Sequence, residues 1–266
     1  MNIKQYKKFL ISDEQIKAEN LDADRLIYVW QNLYIPFYSN MDFWKNTNFS
    51  KIKKGCVEYN GPGGKIYISG DASFNFKRGI KTKSYQKYEY FEELLTQDYS
   101  EEKIQSHLDE LKCCNLMFHS LHNFSLMPVT GGLNNFKGSS VAMKDDKHHL
   151  DRLDRFLFFL NKYYGDHCID NPIFSRACGH HSKKHTAEEN TFLIKESLKQ
   201  FLDHIGSVCK YCEYFYLIKD KDFIKRLIDN GEKNIASNNS VVNYMKLAEE
   251  FWAIRHEIIK IQINSL

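Results

Sequence analysis

The sequence predicts a mostly α-helical protein with a small β hairpin or sheet near residues 50–80, an α+β arrangement. Three observations carry this expectation. Apolar residues recur at helical spacing over most of the chain. Glycine and proline number only 13 and 4 among 266 residues, too few for a turn-rich all-β design. β-Branched and aromatic residues alternate mainly between Phe49 and Ile80, around Asn60-Gly61 and Gly63-Gly64.

Taken in order, Ser12-Asp13-Glu14-Gln15 has the form of a capping box, in which Ser12 and Gln15 satisfy each other's backbone donors. Ile16, Leu21, Leu26, Ile27, Trp30 and Leu33 then predict one or two helices ending near Pro36. After the β segment, helices are expected over Tyr85 to Leu95 and Ser100 to Met117; Glu101 and Glu102 suit the second helix's positive end. Leu150, Leu153, Phe156, Leu157, Leu160 and Tyr164 mark another helix. A long helix is expected from Ala187 to Ile218, a short one over Asp222 to Asp229, and a last one from Ser240 to Ile263.

Composition sets the class. With 42% hydrophobic and 14% aromatic residues the chain can fill a core, and a single domain over 1–266 is expected, with a possible basic, β-containing lobe at 45–87. MNIKQYKKFL carries charge without an apolar stretch behind it, so no signal peptide is expected, and no run of apolar residues suggests a membrane partner. Seven cysteines without an export signal point to reduced thiols and a cytoplasmic location.

Charge is unevenly spread. Between Lys45 and Lys87 stand ten Lys/Arg against Glu58 and Asp71, a formal +8 that leaves −5 for the rest of a chain totalling +3. Lys51, Lys53, Lys54, Lys77, Arg78, Lys81 and Lys83, with Lys137 further on, are candidates for neutralising phosphates. Phe49, Tyr59, Tyr67, Phe74, Phe76 and Tyr85 are interleaved and could stack on unpaired bases. The competing reading turns those aromatics into the core and leaves the lysines solvated.

Residues 119–138, HSLHNFSLMPVTGGLNNFKG, hold the densest group of chemistry-bearing side chains. His119, Asn123, Pro128, Asn134 and Lys137-Gly138, followed by LDRLDRFLFFLNKYY, resemble a recurrent pattern in an uncharacterised bacterial protein family, over about residue 90 to the end. More remotely, the twenty residues resemble the C-terminal half of an HNH endonuclease motif. That likeness implies a histidine as general base, Asn123 as the asparagine bridging the loop, and Asn134 or Asn135 as a ligand to Mg²⁺ or Zn²⁺. All eleven histidines lie at or after His107, which itself falls in a helical pattern, so the base would have to be His119 or His122. The alternative is a turn whose asparagines bond their own backbone and whose glycines supply positive φ.

A further group, Cys178, His180, His181 and His185 with Cys168 before it, has the side-chain types of a zinc site. Cys209 and Cys212 could add a second pair. They also continue the apolar stripe of Leu198, Phe201, Ile205, Val208 and Phe215, which accounts for them as core. GPGGK lacks the spacing of a phosphate-binding loop, and no nucleophile elbow or dinucleotide fingerprint is present. The expectation is therefore a bacterial binding or interaction protein with nucleic-acid contact and no cofactor. The alternative is a divergent HNH-like nuclease using a divalent metal, in a phage-defence or mobile-element setting.

Overall fold

A computed structural model describes residues 3–76, 89–97, 99–131, 134–135, 152–175 and 186–263. It is mostly helical with a small antiparallel sheet, as the pattern predicts.

Helix α1, Asp13–Glu19, opens on Ser12, and both halves of the expected capping box form. The next helical run does not end at Pro36. It passes from α2, Ile27–Val29, through a π-helical turn, Trp30–Tyr34, into α3, Ile35–Tyr38. The proline stands in the first turn of α3, where a missing N–H costs least, directly after the widened turn. Trp30, Leu33, Tyr34 and Tyr38 are all fully buried along this run.

Strand β1, Cys56–Gly61, turns through Pro62-Gly63 into β2, Gly64–Ala72. The third strand, β3, is Phe124–Gly131, and it extends the sheet beyond the expected 50–80 region. A two-residue strand, β4, Asn134–Asn135, completes the order β1-β2-β3-β4. Helices α4, Glu89–Leu95, and α5, Glu101–Met117, lie in the connection between β2 and β3.

Helix α6 covers Leu153–Asp166. The long helix expected over 187–218 is broken: α7, Ala187–Ile205, ends on Gly206 at φ 85°. Ser207 then caps α8, Val208–Tyr211, which runs into a second π-helical turn, Cys212–Tyr216. The apolar spacing hides this break because Leu198, Phe201, Ile205, Val208, Cys212 and Phe215 stay buried on both sides of it. Carbonyls of the π-helical turn are taken up by distant donors: the Tyr38 hydroxyl to Phe215 at 2.5 Å, Trp44 Nε1 to Tyr214 at 3.1 Å, and Arg255 to Tyr216 at 2.7 Å.

Helix α9, Lys221–Gly231, packs on α6, and α10, Asn238–Ile263, closes the fold. Val241, Tyr244, Met245, Ala248, Phe251, Trp252, Arg255 and Ile259 form its buried stripe, at i, i+3, i+4 and i+7 spacing. One continuous core draws on residues from Tyr6 to Ile259. No described helix is long and apolar enough to cross a membrane.

Where α6 meets α9, Arg152 and Asp154 form a fully buried pair at 3.0 and 2.6 Å. Asn230 donates to Asp154 at 2.7 Å and its carbonyl accepts from Arg152. Removing one partner would strand the other charge in a dry site, so Asp154→Ala should lower the unfolding free energy by about 3–5 kcal/mol, read from urea denaturation.

Candidate functional site

The alternation of β1 and β2 divides their side chains between two environments. Val57 and Tyr59 on β1, with Ile66 and Ile68 on β2, point into the core. Cys56, Glu58 and Asn60 face the other way, as do Lys65 and Tyr67, and Glu58 stands directly opposite Tyr67. Val129 of β3 shares that face. Of these outward residues, Cys56, Glu58, Asn60, Tyr67 and Val129 form the floor of a cleft of about 800 Å³.

The wall is basic. Lys51, Lys53 and Lys54 are exposed on the segment leading into β1, and Arg25 joins them from the 3₁₀ turn Ala23–Arg25. Lys53 and Cys56 exchange two backbone hydrogen bonds, at 2.9 and 3.1 Å, around Lys54 at φ 52° and Gly55 at φ 70°. Two positive φ values between paired ends make a type I′ turn, which accounts for glycine at 55. Gly55 also admits Arg25: a Cβ there would stand 2.5 Å from the arginine's own Cβ. Gly70 in turn lets the Asp24 carbonyl approach β2, which sets the Arg25 turn against the sheet.

The described lining holds four cationic side chains and a single carboxylate, Glu58. That carboxylate is already paired with Lys65 at 2.8 Å, and this hydrogen-bonded ammonium is the main cause that lowers its pKa, with a smaller effect from the Tyr67 hydroxyl. The cleft is therefore electropositive. Tyr67 is 49% exposed, whereas Tyr59, Phe74 and Phe76 are buried and Phe49 is 7% exposed. Burial raises the Cys56 thiol pKa, and Arg25 opposes that effect.

Residues 119–131 form a different kind of structure. Asn123 is fully buried: its oxygen accepts from the Phe74 N–H at 2.9 Å and Trp252 Nε1 at 3.0 Å, and its nitrogen donates to the carbonyls of Phe74 and Phe118. His122 is also fully buried, with Nδ1 3.0 Å from Ser120 Oγ and Nε2 3.2 Å from His256 Nδ1. Tyr6 and Phe9 pack edge-on against both imidazoles. Of the proposed catalytic set, His119 lines a smaller cavity of about 210 Å³ with Asp24, Arg25 and Asp71, while His122 and Asn123 are enclosed elsewhere in the core. Asn134 pairs through its backbone with Gly131.

No family model, curated protein or solved structure matches this chain.

Lys77, Arg78, Lys81, Lys83 and Lys137, and the zinc candidates Cys178, His180, His181 and His185, lie outside the described residues. Cys212 is buried in the core and Cys209 is half-buried, as the apolar stripe suggests. Among the described residues, no three His, Cys, Asp or Glu side chains are grouped so as to hold a metal ion. Sequence reasoning missed Arg25, which reaches the cleft from a separate turn, and it did not pair His122 with His256.

Two outcomes test the buried turn. Asn123→Ala leaves several buried backbone and indole groups unpaired and should cost about 2–5 kcal/mol in urea unfolding. Burial first, then the facing His256 ring and Arg255, push the His122 pKa down to about 3. The unfolded imidazole titrates near ~6.5, so between these values the unfolded chain binds the extra proton. Stability from this group is complete above ~6.5 and falls with pH by about 1.4 kcal/mol per unit. His122→Gln should flatten the slope of unfolding free energy against pH by about one proton over that window; an unchanged slope contradicts the buried neutral state.

Proposed function

We propose that the protein binds nucleic acid through its phosphate backbone in the cleft between β1–β2 and the Arg25 and Lys51–Lys54 wall. The observation that carries the reading is the charge of the lining: Arg25, Lys51, Lys53 and Lys54 surround a cleft whose one described carboxylate is neutralised by Lys65. Excess cations around a concave surface attract polyanions at long range and release counterions on contact. The rigid type I′ turn fixes the backbone at Lys53 and Lys54, so less ordering remains to be done on binding.

The enclosed, hydrogen-bonded state of His122 and Asn123 favours structural roles for both over roles in a metal-dependent nuclease. Their polar atoms are committed to the chain itself, away from the cleft.

The test is a salt titration with a fluorescein-labelled oligonucleotide, read by anisotropy. Log affinity should fall linearly with log salt, with a slope between about −2 and −3 if three or four phosphates are neutralised. Lys53→Ala with Lys54→Ala should shallow that slope by roughly 1–2 units and weaken binding at least ~10-fold at low salt. Absent binding at low salt, or affinity indifferent to salt, would refute the reading.

A further inference from the structure

We infer that the cleft takes a single strand, RNA or DNA, with an unpaired base stacked on Tyr67 and its phosphates on the Lys51–Lys54 and Arg25 wall. This rests on the phosphate-binding reading above and adds the form of the nucleic acid.

Four features point the same way. First, the lining is chemically mixed: Lys51, Lys53, Lys54 and Arg25 supply cations, while the strands supply the Tyr67 ring and Val129, with the only described carboxylate, Glu58 opposite Tyr67, tied up by Lys65. A ligand that uses both the cations and the ring is anionic and carries a flat aromatic group, which describes an extended strand with its bases turned out. Second, Tyr67 is 49% exposed, whereas the described aromatics Phe49, Tyr59, Phe74 and Phe76 are buried. The same alternation that sends Ile66 and Ile68 inward sends this ring out. Third, the ring sits on a paired strand rather than a loop tip: β2 is hydrogen-bonded to β1 on one side and, from Ile68 onward, to β3 on the other. Its backbone is therefore fixed before any ligand arrives.

The fourth feature is size. A volume of about 800 Å³ falls in the range of about 300–1,000 Å³ typical of sites for single small ligands. It has room for one or a few nucleotides. Bases within a duplex are stacked on one another and show only their edges, so none could lie flat on Tyr67 without leaving the helix.

The experiment compares the full-length wild type with Tyr67→Ala and Tyr67→Phe, by anisotropy competition against one labelled single strand. Competitors are unlabelled single-stranded DNA, RNA of the same sequence, the corresponding DNA duplex, heparin as a polyanion without bases, and a free nucleoside monophosphate. Wild-type protein should prefer a single strand over the duplex. Tyr67→Ala should weaken single-strand binding by about 5- to 100-fold, the loss of one stacked base. Tyr67→Phe, which keeps the ring, should stay within a few-fold of wild type, and heparin binding should be unchanged in both. The exposed position makes a fold defect readable as a change in melting temperature, which should not occur.

If Tyr67→Ala binds single strands as tightly as wild type, or the duplex or heparin competes equally well, the inference is overturned while phosphate binding stands. A free nucleoside monophosphate competing as well as the strand also overturns it, in favour of a mononucleotide site. Failure of the wild type to bind any nucleic acid overturns the phosphate-binding reading with it.

Discussion

The Asn123 carboxamide fixes the closed end of the sheet. Its four hydrogen bonds join the residues following β2, the end of α5, the start of β3 and Trp252 on α10. Around it, the Ser73 N–H donates to the Asn123 carbonyl, Ser73 and Ser125 share a hydroxyl contact at 2.7 Å, and Arg255 donates to the Phe124 carbonyl. In a site this dry each of these groups costs free energy if left unpaired. Strand β3 therefore has one favourable register against β2, and α10 one favourable position across both.

That constraint reaches the cleft. Where β2 runs from Ile68 to Ala72 it is buried on both faces, under helices and the Arg25 turn. Toward the Gly61–Gly64 hairpin the cover is lost from one face, and the same alternation leaves Tyr67 exposed and Glu58 half-buried there. A one-residue slip at the Asn123 end would turn Tyr67 inward and Ile68 outward. The lock in the core and the chemistry of the surface are thus two ends of one register.

Much of the helical framework was legible because it is local. The Ser12–Gln15 capping box and the α10 stripe need only neighbours within a turn or two. The break at Gly206 was not legible, since apolar residues keep helical spacing through it. Strand β3 was missed for a related reason: Phe124 to Pro128 is buried on both faces, so the run has no alternation, and it contains a proline that normally argues against a strand. Of the candidate site, Lys51, Lys53 and Lys54 were visible as a charge cluster. Arg25 was not, because its place depends on the close approaches at Gly55 and Gly70.

By itself the sequence determined the mostly helical class, the caps, the basic segment and the hairpin between β1 and β2, all of which follow from periodicity and composition over short spans. Tertiary structure decided which of the described interleaved aromatics face solvent, and that Asn123 and His122 serve the core. Those outcomes depend on partners far along the chain: Trp252 lies 129 residues from Asn123 and His256 lies 134 from His122. Burial and hydrogen-bond satisfaction act on the assembled whole, and short-range patterns do not encode which distant groups will meet.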